Sequence, residues 1–122
     1  MGSATLERVE ELQPDSAAQL RRACAAGRAE VADAELLELC LGRIDAMLSG
    51  TAWSEPEGLT ERQRAYLDFA EQFSLSVGDI PESQVEALLA YDSDEDVCRF
   101  VGALYPLEMS RRVELVAGKV LR

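Results

Sequence analysis

Residues 33–50 read DAELLELCLGRIDAMLSG, and this stretch decides the fold. Apolar side chains recur in it every three or four residues, the spacing that places them on one face of an α-helix. They are Leu36, Leu37, Cys40, Leu41, Ile44, Met47 and Leu48. Asp33 is a typical N-cap residue, and Gly50 stands where helices commonly end in a left-handed conformation. The stretch therefore predicts a helix from Asp33 to Ser49.

Helix signals on both sides of this stretch predict an all-α fold of about six helices. A helix over residues 15–25 is expected before it, with Gly27 just past its end. A Gly- and Pro-containing linker follows over residues 50–59. Thr60 and Gln63 then form a capping box, which predicts a helix to about residue 73. Residues 73–77 alternate between apolar and polar, and we expect an extended loop there.

The last third of the chain is predicted to contain three helices, two of them separated by a proline. Pro81 suits the first turn of a short helix. Ser93 and Asp96 form a second capping box for a helix that ends before Pro106, because proline disrupts a helix interior. The final helix is predicted over about residues 107–121. Its apolar side chains on one face are Met109, Val113, Val116 and Val120.

Length and composition indicate one domain with one core. The chain has 122 residues, of which 48% are apolar, and a domain typically needs about 100–200 residues. Residues 1–13 are predicted as a frayed N-terminal segment, which leaves residues 14–122 as the helical domain. No secretory signal and no membrane-spanning stretch of about 20 apolar residues is visible. We therefore expect a cytoplasmic protein that does not associate with membranes.

Charge and residue usage exclude several classes of function. The 23 acidic and 12 basic residues give a net charge of −11, which disfavours binding to the phosphates of nucleic acid or of anionic membranes. The sequence contains no histidine. This removes Ser-His-Asp and Cys-His catalysis as well as histidine metal ligands.

The cysteines and the clustered acids do not predict a metal or cofactor site. Cys24 and Cys98 lie far from Cys40 in sequence and form no C-x-x-C pair. Cys40 itself falls on the apolar face of the residue 33–49 helix and is expected to be a buried thiol. Asp92, Asp94 and Asp96 alternate as in the first half of a calcium loop. The glycine and glutamate that such a loop requires are replaced by Val97 and Ala103. We predict no bound metal and no cofactor.

Two stretches resemble hallmark helices of the AhpD-like, or carboxymuconolactone decarboxylase, superfamily. Residues 36–50, LLELCLGRIDAMLSG, resemble the family's ELLELCRLRIAQLLG helix, and residues 59–73, LTERQRAYLDFAEQF, resemble its LT.RER..L.FAEQF pattern. In order and spacing the resemblance covers roughly residues 33–115. It implies a single AhpD-like helical domain with an antiparallel helix pair at its core. It also implies assembly into dimers, trimers or hexamers.

The sequence departs from this family at its redox site. In the peroxidase branch a C-x-x-C motif followed by a histidine reduces hydroperoxides, whereas Thr51 and Ser54 occupy the two cysteine positions here. A hydroxyl group without an adjacent base cannot replace a thiolate as the nucleophile. Thr51 and Ser54 are then either turn residues or the lining of a relic pocket with Trp53 and Cys40.

Three hypotheses of function follow. The first is a divergent AhpD-like protein with a degenerate active site, which lacks dithiol redox chemistry and self-associates or binds a protein partner. The second is a decarboxylase-like or other non-thiol enzyme, in which burial near Trp53 raises the pKa of Glu35 or Glu38. The third is an unrelated acidic helical adaptor.

Structural observations separate these hypotheses. An apolar face left exposed on the folded chain would favour self-association. A concave pocket with a perturbed carboxylate beside Trp53 would favour an enzyme. The family assignment requires that the helices over residues 36–49 and 60–73 pack antiparallel.

Overall fold

A computed structural model describes residues 4–121 and has six α-helices in this range. They are α1 (Ala4–Leu12), α2 (Pro14–Glu30), α3 (Ala34–Ser49), α4 (Glu61–Leu75), α5 (Glu82–Leu89) and α6 (Asp94–Val120). A single 3₁₀ turn, Val77–Asp79, lies between α4 and α5. No strand occurs over residues 4–121. The predicted all-α class is therefore confirmed.

Helix α3 forms where the sequence predicts it. The Asp33 carboxylate caps the helix by accepting a hydrogen bond from the Leu36 amide at 3.0 Å. Gly50 ends the helix with a φ of 70°, a conformation that costs glycine little because it has no Cβ. The face that the sequence marks as apolar is the centre of the core: Leu36, Leu37, Cys40, Leu41 and Ile44 are all buried.

Helix α4 also begins as predicted but ends later. The Thr60 hydroxyl accepts a hydrogen bond from the Gln63 amide at 3.0 Å, and the Gln63 side chain accepts one from the Thr60 amide at 2.8 Å. The helix buries Tyr66, Phe69 and Phe73 against α3 and α6. It continues to Leu75 and the 3₁₀ turn begins at Val77, so within the extended loop expected over residues 73–77 only Ser76 is extended. Phe73 and Ser74 are buried in this last turn, and their packing favours helix over the extended chain that the apolar–polar alternation predicts.

Two ion pairs show that α3 and α4 run in the same direction. Arg62, at the start of α4, binds Asp33 at the start of α3, with 2.8 Å between Nη1 and Oδ2. Arg43, further along α3, binds Glu71 in the second half of α4 at 2.7 Å. The two contacts advance together along both helices, which antiparallel packing would not allow. The antiparallel pair expected from the family resemblance is therefore not what the structure has.

Helix α2 is longer than predicted, and Gly27 has a different role. The helix continues to Glu30, so Gly27 lies inside it and is not a C-terminal cap. A Cβ built on Gly27 would lie 2.9 Å from the Cα of Ala103. This distance is shorter than real Cβ contacts, so glycine is what permits α2 to approach α6 this closely.

Helix α6 is continuous through Pro106, where the sequence predicts a break. Proline has no amide hydrogen, so the Gly102 carbonyl lacks its usual helical donor. Phe100 and Leu104 before the proline and Leu107 after it are all buried. Packing on both sides of Pro106 thus holds one helix together despite the lost bond.

The N-terminal segment contains helix α1, although the sequence predicts no regular structure over residues 1–13. Leu6 and Val9 are half-buried and line a small cavity with residues of α2 and α6. Residues 1–3 lie outside the described part of the chain. The division into a segment of residues 1–13 and a domain of residues 14–122 stays a prediction.

Candidate functional site

One side of α6 is exposed and largely apolar, although the Tyr105 ring on it also packs edge-on against the buried Phe73, with 4.9 Å between ring centroids. From Cys98 onward seven of its exposed positions recur every three or four residues, as on one face of a helix, and Arg99 and Val120 are exposed beside them. We call this set the outer α6 face: Cys98, Gly102, Tyr105, Met109, Arg112, Val116 and Lys119. Tyr105, Met109 and Val116 are 51%, 53% and 62% exposed, respectively. A row of half-exposed large apolar side chains on one helix is typical of an interaction surface.

This surface corrects the interpretation of the final helix. The sequence places Met109, Val113, Val116 and Val120 on one apolar face, the pattern of a helix that packs on a core. In the structure Met109, Val116 and Val120 are exposed and only Val113 is partly buried. The buried residues of this stretch are Leu107 and Glu108.

A groove between α2 and α6 adjoins the outer α6 face and has a volume of about 850 Å³. The two helices are antiparallel, because the contacts of Glu30, Gly27 and Cys24 fall on Arg99, Ala103 and Pro106 in that order. The apolar lining comes from both helices: Leu20, Ala23, Ala26, Tyr105, Pro106 and Met109. The groove is therefore open and largely apolar.

The groove has no net charge although the chain is strongly acidic. Its charged lining residues are Glu30 and Arg99, which form an ion pair at 3.7 Å. The chain as a whole carries a net charge of −11. A second acidic molecule is therefore repelled by most of the surface of this chain, but the groove, which has no net charge, does not repel it.

Charge along α6 changes sign from one end to the other. The helix begins with Asp94, Glu95 and Asp96, which lie in its first turn where the helix dipole favours carboxylates. Its second half carries Arg111, Arg112 and Lys119 against Glu108 and Glu114. Helix α6 thus has an acidic start, and the outer α6 face that follows has an apolar middle and a basic end.

A polar cluster around Arg62 joins three parts of the fold. Its guanidinium donates to Asp33 at 2.8 Å and to Asp92 at 2.9 Å, and the Tyr66 hydroxyl donates to Asp92 at 2.6 Å. The hydrogen bond from Arg62 lowers the pKa of Asp33. Burial raises the pKa of Asp92, but the hydrogen bonds from Tyr66 and Arg62 outweigh it and lower that pKa overall. The cluster connects the start of α3, the start of α4 and the segment before α6.

The two residues that the family resemblance places at cysteine positions lie in the α3–α4 linker. Thr51 and Ser54 are both exposed, and the Thr51 hydroxyl oxygen lies 3.0 Å from that of Ser49. Between them Trp53 is half-buried, with the guanidinium of Arg43 5.3 Å from its ring centroid. This arrangement is that of a turn packed along α3.

Cys40 lies in the core, with no exposed surface. Burial is the main reason that its thiol pKa is raised to about 12, and the charges of Asp33 and Glu71 add to the effect. A thiol with this pKa is almost entirely protonated near neutral pH, so it is a poor nucleophile.

The two carboxylates of the enzyme hypothesis are both on the surface. Glu35 and Glu38 are exposed, and Glu38 forms an ion pair with Arg28. The structure therefore does not bring either of them into a buried pocket beside Trp53.

The acids considered for calcium have protein partners. Asp92 binds Arg62 and Tyr66, and Asp96 binds Arg99 at 3.0 Å. Over residues 4–121 no group of three or more acidic or cysteine side chains is placed to hold a metal ion. Within the same range no helix combines the length and the apolar character that crossing a bilayer requires.

No protein-family model matches this chain, and searches of curated proteins and of solved structures find no similar protein. The resemblance to the AhpD-like superfamily stays a prediction that depends on the two quoted motifs. The parallel packing of α3 and α4 speaks against it.

Sequence reasoning missed the outer α6 face because it divided α6 at Pro106. The signal was present in the sequence. Residues 98, 102, 105, 109, 112, 116 and 119 alternate in steps of four and three across the proline, which is the spacing of a coiled-coil seam.

Proposed function

We propose that this chain is a self-associating helical module whose docking surface is the outer α6 face with the adjoining α2–α6 groove. The observation that carries the proposal is the row of Tyr105, Met109 and Val116, each more than half exposed. An apolar side chain gains about 1.5–3 kcal/mol on full burial. Burial of this row under a second protein surface is therefore favourable by part of that free energy for each side chain covered.

The distribution of charge on the chain supports a second copy of this chain as the partner. A net charge of −11 disfavours contact between copies over most of the surface. The groove lining carries one acid and one base that pair with each other, so association there costs little electrostatic repulsion. Self-association was also expected from the family resemblance, but the proposal does not depend on that family.

A non-thiol enzyme has no comparable support. That hypothesis needs a carboxylate shielded from water near Trp53, and both Glu35 and Glu38 are exposed. We therefore do not advance it as a second function.

Sedimentation velocity over a range of protein concentrations tests the proposal. The wild-type mass should rise from 13.4 kDa toward twice that value as concentration increases. Met109→Glu should weaken association at least about tenfold, because each dimer would bury two carboxylates in an apolar contact.

Leu89→Glu is the matched control. Leu89 is a 45% exposed apolar residue on α5, and its replacement changes the net charge by the same amount as Met109→Glu. It should leave association unchanged within about twofold. A wild-type protein that stays at 13.4 kDa at all concentrations would refute the proposal.

A further inference from the structure

We propose that α6 pairs with α6 of a second copy in an antiparallel arrangement, about a two-fold axis near residue 107. This inference rests on the proposed function, because it specifies how the outer α6 face meets its own copy. Three features support it: the spacing of the face, the charge order of α6 and a backbone carbonyl that lacks its usual helical donor.

Six of the seven positions of the outer α6 face pair symmetrically about residue 107, and the counterpart of the seventh, Lys119, is Glu95. Tyr105 and Met109 lie two residues on either side of this point, and Gly102 and Arg112 lie five on either side. Cys98 and Val116 lie nine residues away in the two directions. An antiparallel two-fold pair superimposes each residue on its counterpart, so every exposed position of the face meets another exposed position.

The centre of this pairing is apolar and large. Tyr105 of each copy lies against Met109 of the other, so four half-exposed side chains become buried together. A tyrosine ring and a methionine thioether make a favourable contact. Cys98 of each copy lies against Val116 of the other, about two and a half turns from the centre. The α2 helices flank the pair, and the result is a four-helix arrangement with α2 and α6 from each copy.

The charge order of α6 selects the antiparallel direction. Glu95 and Lys119 lie twelve residues on either side of residue 107, and both are exposed. The antiparallel pair brings Glu95 of each copy beside Lys119 of the other. A parallel pair would instead place Glu95 beside Glu95 and Lys119 beside Lys119, and like charges at such positions are destabilising.

The Gly102 carbonyl gives the pairing a polar contact. Residue 106 is proline, so this carbonyl lacks the amide donor that a helix normally supplies. Gly102 is exposed and lines the groove. In the antiparallel pair it faces Arg112 of the second copy. Within its own chain Arg112 uses Nε and Nη2 to bind Glu108 and the Ser74 carbonyl, and in the proposed pair Nη1 is the donor to the Gly102 carbonyl of the second copy.

Disulfide trapping tests the register. Val116→Cys places a thiol opposite Cys98 of the second copy, whereas the two positions within one chain are 18 residues apart on a single helix and cannot react together. Disulfide formation requires Cα atoms within about 7 Å. Val120→Cys is the matched control, because position 120 is exposed one turn further along and faces Asp94 of the second copy. Each variant and the wild-type protein are oxidised by copper-catalysed air oxidation, and the cross-linked peptides are identified by mass spectrometry.

We expect Val116→Cys to give a covalent dimer through Cys98 and position 116, at a yield at least about tenfold above that of Val120→Cys. An equal yield from the two variants would overturn the register. A Cys98–Cys98 dimer of the wild-type protein would show parallel pairing and overturn the antiparallel direction.

Sedimentation of the same samples separates this inference from the proposed function. If Val116→Cys forms dimers by mass but gives no disulfide, the antiparallel register is wrong and self-association stands. If it neither dimerises nor cross-links while the wild-type protein is also monomeric, both proposals fail.

Discussion

Arg62 connects α3, α4 and the segment before α6 through one guanidinium group. It donates to Asp33 and Asp92, and Tyr66 completes the cluster through Asp92. Arg64, two residues further along α4, pairs at the surface with Glu55 and Asp68. Arg62 therefore connects parts of the fold, whereas Arg64 is a charged residue of the surface.

Arg62→Ala should lower the free energy of unfolding by about 1–2 kcal/mol at neutral pH, since it removes hydrogen bonds to two partly exposed carboxylates. Arg64→Ala should change it by less than about 0.5 kcal/mol. Urea denaturation of both variants measures the difference. An Arg64→Ala protein as destabilised as Arg62→Ala would contradict the assigned role.

The same variant should change the pH dependence of stability. Asp33 and Asp92 have lowered pKa values in the folded protein, so their contribution is complete above the ordinary aspartate pKa of about 3.9 and is lost as pH falls below it. We expect the stability difference between wild type and Arg62→Ala to shrink between about pH 5 and pH 3. A stability difference that stays constant over this pH range would show that Asp33 and Asp92 do not account for the stabilising effect of Arg62.

At the scale of elements, α3 and α4 could be predicted because their signals are local. The Asp33 cap, the Thr60–Gln63 capping box and the helical period all lie within the helices they define. The direction of packing could not be predicted, because a linker of about ten residues permits either direction. It depends on contacts between residues far apart in sequence, such as Arg62 with Asp33.

The continuity of α6 could not be predicted either. Pro106 is a strong local signal for a break, and only the burial of Leu104 and Leu107 on both sides outweighs it. The outer α6 face could not be predicted for a related reason. A helical period of apolar residues is the same whether the surface that covers it belongs to the same chain or to another.

The contact between α2 and α6 predicts an unusual effect of alanine. Gly→Ala inside a helix normally stabilises by about 1 kcal/mol. At Gly27 the new Cβ would lie 2.9 Å from the Ala103 backbone, so Gly27→Ala should instead destabilise by about 1–3 kcal/mol.

Gly42→Ala on α3 provides the control, because its Cβ would meet only the Trp53 ring nitrogen at an ordinary 3.8 Å. Thermal unfolding should show opposite shifts for the two variants. A Gly27→Ala protein that is more stable than wild type would mean that α2 and α6 can separate without cost.

At the scale of the whole molecule, charge and apolar surface are separated. Residues 65–98 contain nine acids and no base, whereas the α2–α6 groove has a balanced lining. Two copies repel each other over the acidic regions and can meet only where the charge is balanced. This distribution makes one face the site of association and opposes non-specific aggregation through the others.

Cys98 alkylation as a function of protein concentration tests the central claim most directly, because this exposed thiol lies on the outer α6 face. Leu89→Cys adds a second exposed thiol on α5, and mass spectrometry measures the rate at both positions in the same molecule. As concentration rises through the association range, Cys98 should become about tenfold slower to react, since only the unassociated fraction exposes it. The thiol at position 89 should react at a constant rate. A Cys98 rate that stays constant while the sedimenting mass doubles would show that the copies associate through a different surface.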